Sequence, residues 1–125
     1  MKKLLVIVTK PPYSREEPFG AISFAGTGPA ADVSTGVVFS GEGVYNAVKN
    51  QITLDYFKVG ENSYSTPNIE KLIKDMNDVG VSFFALDKDI KERCIESDEL
   101  IEAVKIINEE NFAEFILEYD VSVVF

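Results

Sequence analysis

Histidine is absent from this chain, and cysteine occurs once, at Cys94. The lack of an imidazole excludes Ser-His-Asp and Cys-His nucleophiles, which need that base. It also argues against zinc, since most catalytic zinc sites use histidine and structural ones need several Cys or His ligands. One thiol forms neither an intramolecular disulfide nor a CxxC redox pair. The chemistry that remains is that of carboxylates, of a lone thiolate, or none.

Positive charge is also scarce. The 125 residues contain 12 Lys and Arg against 21 Asp and Glu, which gives a net charge of −9. The basic residues are scattered, and the only adjacent pair is Lys2-Lys3, so nucleic acids and anionic membranes are disfavoured as partners. Hydrophobic residues make up 46% of the chain, enough for the core of one domain over residues 1–125. Nothing in the sequence indicates a cofactor.

Long apolar runs are missing, and no segment approaches the length of a membrane span. The run Leu4–Val8 follows two lysines but is too short for an export signal, and a buried strand is the better interpretation. A single unpaired cysteine is typical of a reducing compartment. We therefore expect a cytoplasmic protein.

Apolar runs alternate with helical patterns along the chain. Branched and aromatic residues predict four strands, at 4–8, 33–40, 81–86 and 121–125. Continuous apolar runs, as in 4–8, are typical of central parallel strands. The alternation predicts an α/β three-layer sandwich with a mostly parallel sheet.

Helix signals fill the intervals between the strands. Thr66 and Pro67 supply a cap and a first position for a helix whose apolar residues follow helical spacing. Ser97 is the predicted cap of another helix, which buries Leu100, Ile101, Val104 and Ile107. Shorter helices are predicted to begin near Arg15, Gly41, Asp87 and Asn108.

Residues 51–66 show no clear period. They contain three aromatic residues, Tyr56, Phe57 and Tyr64. A connection of this length usually has a function, makes contacts or contains a short strand.

Gly41-x-Gly43 follows a predicted strand and opens a helix, a position where phosphate groups bind. The dinucleotide pattern is incomplete, because Asn46 stands where a third glycine belongs and Glu42 adds a negative charge. The Gly-Lys-Ser/Thr of a P-loop is also missing. The favoured alternative is a tight turn at which two backbone segments cross closely.

Ligands of α/β sheets bind at the carboxyl ends of the strands. In this chain those ends carry Lys10, Tyr13, Glu42, Asp87 and Lys88. The spacing of the acidic residues is not that of a metal-binding motif. In the first turn of a helix, such residues usually stabilise the helix by interacting with its dipole. The sequence permits a site at this edge without defining its ligand.

Cys94 has two interpretations. Leu86, Ile90 and Cys94 repeat at helical spacing, which favours a small buried thiol that closes a helix. The other interpretation is a reactive thiolate favoured by Lys91 and Arg93, although two neighbouring glutamates and the helix C-terminus oppose an anion there. The residue pattern favours the buried thiol.

Several segments together resemble the DsrE/DsrF-like family. They are Thr9–Tyr13, Gly41–Tyr45, Lys91–Ile95 and Tyr119–Val121. The resemblance covers nearly the whole chain and is closest to the TusC/DsrF branch. It implies a small α/β fold of flavodoxin-like appearance and assembly into homo- or hetero-oligomers, here with DsrE-type and DsrH-type homologues. It also implies a part in sulfur relay, in which persulfide sulfur passes between proteins for tRNA thiolation or sulfur oxidation.

Two positions depart from the family pattern. Sulfur-carrying members have a cysteine at the end of the strand before the short helix, and the matching position here is Leu86, which cannot hold a persulfide. Family members usually have glycine after the Glu-Arg pair, where this chain has Cys94 and where glycine would ease a left-handed turn. The resemblance therefore transfers no chemistry to Cys94.

Three hypotheses remain open. In the first, the chain is a non-catalytic assembly subunit of sulfur relay, and its aromatic segment 56–64 helps to bind a partner, since interfaces favour Tyr and Phe. In the second, Cys94 is the catalytic residue of a sulfurtransferase-type carrier and accepts sulfur as a persulfide. In the third, the chain is a homo-oligomeric module that binds a small ligand and has no link to sulfur.

Overall fold

Strands and helices alternate through the computed structural model, which describes residues 2–12, 17–51, 56–59, 62–65 and 68–125. The strands are β1 (Lys3–Val8), β2 (Ser34–Phe39), β3 (Tyr56–Val59), β4 (Asn62–Ser65), β5 (Ser82–Leu86), β6 (Val104–Ile107) and β7 (Val121–Val124). The α-helices are α1 (Glu17–Ala25), α2 (Thr27–Ala30), α3 (Ile69–Asp78), α4 (Asp87–Glu92) and α5 (Phe112–Leu117). Short 3₁₀ helices cover Gly41–Ala47, Ser97–Glu99 and Glu109–Asn111. None of the helices in these ranges has the length and apolarity to cross a membrane.

Five strands form one parallel sheet in the order β6-β5-β2-β1-β7. β1 pairs with β2 from Lys3↔Ser34 to Val8↔Phe39 and with β7 from Leu4↔Val121 onward. Parallel neighbours need long crossover connections, and these place helices on the faces of the sheet. The predicted α/β fold with a parallel sheet and flavodoxin-like layering is confirmed.

The larger core lies between the sheet and helices α1 and α3. Strand residues that point to it include Val6, Val8, Val37, Phe39, Phe83 and Ala85, and helix residues include Ala21, Ile22, Ala25, Ile69 and Ile73. The rings of Phe39 and Phe83 stack with their centroids 6.1 Å apart. α1 and α3 share this face because right-handed crossovers that move in one direction along a sheet stay on one side of it.

The opposite face carries a smaller core under α5. Its buried members are Leu5, Val38 and Leu86. Phe115 of α5 packs edge-on against Phe84 at 4.9 Å between ring centroids. α5 has six residues and buries none of them fully, so this side of the sheet contains fewer buried residues than the other.

One predicted helix is wrong. Ser97–Ile107 was expected to be helical, but only Ser97–Glu99 forms a short 3₁₀ turn, and Val104–Ile107 is β6. A capping box with Glu96 closes that turn, and Leu100 is already extended. Branched residues in β6 favour the extended backbone, and pairing with β5 outweighs their helical spacing.

The start of α3 also differs from the prediction. Its cap is Asn68, whose side-chain oxygen accepts hydrogen bonds from the backbone N–H groups of Glu70 at 2.8 Å and Lys71 at 3.4 Å. Thr66 and Pro67, the predicted cap and first residue, lie outside the described residues. The preceding connection contains two short strands, β3 and β4, which pair antiparallel. The structure does not describe the side chains of its aromatic residues.

Glu70 joins α3 to the loop before it. Its carboxylate accepts a hydrogen bond from the Asn50 N–H at 2.6 Å and lies 2.9 Å from the Lys74 Nζ. The bond from Asn50 and then the bond from Lys74 hold the pKa of Glu70 below its usual value. A group whose pKa is lowered by folding contributes stability above its unfolded pKa, and that contribution is lost as the pH falls through the folded pKa.

We therefore expect Glu70→Gln to destabilise the fold in a pH-dependent way. The expected loss in the free energy of unfolding is about 1 kcal/mol near pH 7 and becomes smaller at a second, acidic pH, because the contribution of the charge is lost as the pH falls through the folded pKa of Glu70. Urea denaturation at the two pH values measures it. An equal loss at both would show that the charge of Glu70 contributes nothing.

Candidate functional site at the carboxyl edge of the sheet

The carboxyl ends of β1, β2, β5 and β6 lie side by side along one edge, because these strands are parallel neighbours. Lys10 and Glu42 follow β1 and β2. Asp87 and Lys88 open α4 directly after β5. The structure thus places four of the five predicted edge residues as expected, and Tyr13 lies outside the described residues.

Carboxylates in the helix starts connect neighbouring turns of this edge. The Gly41 N–H donates to Asp89 Oδ2 at 2.8 Å, and the Lys88 N–H donates to Glu109 Oε2 at 3.1 Å. Acids at these positions hold the turns after β2, β5 and β6 together. No group of three or more potential metal-ligating side chains occurs within the described ranges.

The side chains of Asp87 and Lys88 bond within α4 instead of converging on a ligand. Asp87 Oδ2 lies 2.9 Å from Lys91 Nζ, and Lys88 Nζ lies 4.0 Å from Glu92 Oε1. Three of these four side chains are exposed and Asp87 is half-buried, so both i, i+4 pairs contribute little energy. Neither side chain forms a hydrogen bond or an ion pair with Lys10 in the part of the chain that the structure describes.

The turn after β2 is a close backbone crossing. Gly41 has a φ of +56°, in the left-handed region. A Cβ on Gly43 would collide with the backbone carbonyl of Val8. The tight-turn interpretation of Gly41-x-Gly43 is therefore confirmed, and Asp89 already occupies the amide that a phosphate at Gly41 would use.

The side chain of Asn46, which is fully buried, holds this turn by hydrogen bonds. Its Nδ2 donates to the carbonyls of Lys10 and Gly43, both at 2.8 Å, so the amide ties the loop after β1 to the 3₁₀ helix. Its Oδ1 has no hydrogen-bond partner among the described residues. Sequence reasoning missed this role; the only sign was a polar residue in place of the third glycine.

Leu86, at the position where the resemblance implies a cysteine, is the last residue of β5 and the cap of α4. Only 6% of it is exposed, and it packs in the smaller core with Leu5 and Val38. This end of the strand is therefore filled by an apolar side chain.

Cys94 is exposed, so the predicted buried thiol is wrong. The helical spacing that predicted burial stops at Glu92, where α4 ends. The N–H of Cys94 then donates to the Lys91 carbonyl and that of Ile95 to the Ile90 carbonyl, both at 3.1 Å, the two bonds of a Schellman motif. This turn sends Ile95 to the larger core and Cys94 to solvent.

The cations beside Cys94 are engaged by carboxylates. Arg93 Nη1 lies 3.7 Å from Asp89 Oδ1 and donates to the Asp89 carbonyl at 3.2 Å. The hydrogen bond to Asp87, together with its charge, raises the pKa of Lys91. The positive charges of Lys91 and Arg93, which favour a thiolate at Cys94, are thus paired with Asp87 and Asp89 of α4.

Comparison with known proteins decides the family. The sequence matches the DsrE/DsrF-like family over residues 2–125. The chain belongs to the DsrE/DsrF-like family. Uncharacterized protein MJ0989 of Methanocaldococcus jannaschii is 28% identical over 123 residues, which are 98% of this chain and 99% of that relative.

Two solved structures share the fold over the full length of both chains. The ychN protein from E. coli superposes with a TM-score of 0.80 at 20% identity. MTH1491, a protein of unknown function from Methanobacterium thermoautotrophicum, superposes with a TM-score of 0.72 at 14% identity. These likenesses confirm the fold that the family resemblance predicted.

In this DsrE/DsrF-like protein, Cys94 occupies a left-handed position with a φ of +55°. Such a backbone costs a residue with a Cβ on the order of 1 kcal/mol relative to glycine. We therefore expect Cys94→Gly to raise the free energy of unfolding by about 1 kcal/mol, and Cys94→Ala to leave it nearly unchanged. Chemical denaturation of the three proteins checks this, and equal stabilities would contradict the left-handed geometry.

Proposed function

We propose that this DsrE/DsrF-like protein acts in sulfur relay as a non-catalytic assembly subunit and that a partner's cysteine carries the persulfide. The observation that carries the proposal is Leu86. A buried leucine stands where the resemblance implies the sulfur-carrying cysteine, and it is part of the smaller core.

The polar groups of the carboxyl edge support the same proposal. Asp89 accepts a hydrogen bond from the Gly41 amide, and Glu109 accepts one from the Lys88 amide. Groups used in this way stabilise the edge and do not bind a small substrate. An edge of this kind is suited to packing against another protein.

The proposed partners are DsrE-type and DsrH-type homologues in the cytoplasm of the same cell. The experiment is co-expression of the chain with each such homologue from its own genome, followed by size-exclusion chromatography. We expect co-elution with a cysteine-bearing homologue. Separate elution from all of them would overturn the assembly role and favour a homo-oligomeric module.

A second candidate function is favoured by the exposure of Cys94. In this alternative, the Cys94 thiolate attacks the outer sulfur of a donor persulfide; an S–S bond forms at Cys94, and the donor leaves as a thiolate. A later acceptor thiolate takes the same sulfur, so no external oxidant is needed. The approach to Cys94 is open, but its neighbouring cations are held by Asp87 and Asp89.

Intact mass spectrometry after treatment with glutathione persulfide tests this second candidate. A carrier gains one sulfur atom, passes it to an added thiol acceptor, and loses both abilities in Cys94→Ser. Failure to gain sulfur, with the donor active on another thiol protein, would remove it. Gain and transfer of sulfur by Cys94 would contradict the non-catalytic role proposed above.

A further inference from the structure

The two edges of the sheet are protected to different degrees. β6 forms one edge and carries Lys105, whereas β7 forms the other and has no charged residue from Val121 to Phe125. Natural proteins usually cover an edge strand or place charge on it, because its unpaired N–H and C=O groups can pair with another chain. No described strand covers the outer edge of β7, and no charge on the strand protects it.

The hydrogen-bonding groups of this free edge belong to Ser122 and Val124. Phe125 directs both of its backbone groups at β1, since its N–H donates to the Ile7 carbonyl at 2.8 Å and its carbonyl accepts from the Thr9 N–H at 3.0 Å. Successive residues of a strand direct these groups to opposite sides. Val124, and Ser122 two residues before it, therefore point their N–H and C=O groups away from β1.

Apolar side chains are exposed around the same edge. Of the six large hydrophobic side chains exposed among the described residues, four are Phe24, Leu117, Val121 and Val124. Two lie on β7 itself, Leu117 ends the helix before it, and the Phe24 ring lies 5.9 Å from that of Phe125. Exposed apolar groups collected at one place indicate an interaction surface.

Carboxylates stand at the start of this apolar strand. Glu118 and Asp120 precede β7, and both are exposed. Asp120 accepts a hydrogen bond from the Lys3 N–H at 2.7 Å, whereas Glu118 forms no ion pair with a described residue. The Lys3 ammonium lies over the Tyr119 ring, 4.9 Å from its centroid. A basic residue of a bound chain would therefore meet two carboxylates here.

A second copy of this chain does not suit the edge. An antiparallel copy would set the carboxylate of its Phe125 beside Asp120, and a parallel copy would set Asp120 beside Asp120. Like charges directly opposite each other in a strand pair are destabilising. The complementary occupant is uncharged in its middle and basic at its ends.

We propose that the free edge of β7 binds an extended segment of another protein as an added strand, with apolar residues at alternate positions and a lysine or arginine next to Glu118 and Asp120. Ser122 and Val124 supply the main-chain hydrogen bonds, which give this mode of recognition its affinity. The binding depends neither on sulfur chemistry nor on a folded homologue.

The face that carries α1 limits which segments fit. Val121 pairs with Leu4, and Leu4 and Phe125 pack on the larger core, so Val121 and Phe125 project to this face. Every second residue of an added strand projects to the same face and contacts them. A branched or aromatic residue there covers Val121 and the ring of Phe24, whereas a charged residue would lose its hydration against them.

Fluorescence anisotropy with two labelled synthetic peptides tests the proposal. Both peptides alternate valine and threonine, and one has a lysine at each end where the other has a glutamate. We expect the lysine peptide to bind, less tightly as salt is added, and the glutamate peptide to bind about tenfold more weakly. Equal affinity for the two peptides, or binding of neither, would overturn the proposal.

Val124→Pro tests the main-chain hydrogen bonds. Proline removes an N–H that points away from β1, a position at which edge strands accept it, so the protein should stay folded in urea denaturation. We expect the affinity for the lysine peptide to fall about tenfold, because the added strand loses a hydrogen bond. Wild-type affinity in the folded variant would contradict strand addition at β7.

Glu118→Lys tests the charge and serves as the second variant if Val124→Pro does not fold. It should weaken the lysine peptide and strengthen the glutamate peptide. The matched control is Glu110→Lys, which makes the same change of charge after β6, at the opposite edge. An equal loss in this control would overturn the proposed site. So would peptide binding that weakens as the protein concentration rises, because a second copy would then occupy the edge.

Discussion

Gly43→Ala is expected to lower the free energy of unfolding by about 3 kcal/mol, one of the largest losses for a single methyl group in this chain. The added Cβ would collide with the Val8 carbonyl, which is backbone at the end of β1 and has little freedom to move. The same carbonyl accepts a hydrogen bond from the Ser40 N–H at 3.0 Å. Relief of the collision would therefore separate β1 from the turn after β2.

Gly20→Ala is the matched control. A Cβ at Gly20 meets nothing within 4 Å, and the residue is inside α1. Alanine there is expected to raise the free energy of unfolding by about 0.5–1 kcal/mol, since glycine is a poor helix former. Urea denaturation of both variants gives the comparison. A Gly43→Ala protein as stable as Gly20→Ala would contradict the close crossing.

The second large effect is a difference in thiol accessibility between positions 94 and 86. Cys94 is exposed, whereas Leu86 is packed in the smaller core. We expect native Cys94 to react with a maleimide as fast as in the denatured chain. In Cys94→Ser with Leu86→Cys, the new thiol should react about a hundredfold more slowly, because it must wait for local opening.

The control for this comparison is labelling in denaturant, where both thiols should react alike. Slow labelling of native Cys94 would contradict its exposed position. Fast labelling at position 86 would show that the end of β5 is open to reagents, and it would contradict the packing of Leu86 in the smaller core.

The sequence predicted the parallel sheet and most of the helices, because short continuous apolar runs and caps such as Asn108 depend on local pattern. Asn108 does accept a hydrogen bond from the Glu110 N–H at 2.9 Å. β6 was missed because its branched residues also fit a helix, and only pairing with β5 decides between the two. Local spacing carries no information about a partner strand that is distant in sequence.

The candidate site was predicted less well than the fold. The order of the strands places the edge residues, but the bond from Gly41 to Asp89 spans 48 positions and has no local signal. Cys94 was assigned to the core because its spacing from Leu86 is helical. The left-handed turn that exposes it depends on where α4 ends, and helix ends are the least predictable part of a pattern.

The most direct test of the central claim follows one sulfur atom. The chain, a cysteine-bearing DsrE-type homologue from the same genome and glutathione persulfide are mixed, and intact mass spectrometry locates the added sulfur. The account predicts sulfur on the homologue in amounts that rise when the chain is present and are the same with Cys94→Ser. Sulfur held on Cys94, with transfer to the homologue lost in Cys94→Ser, would contradict it.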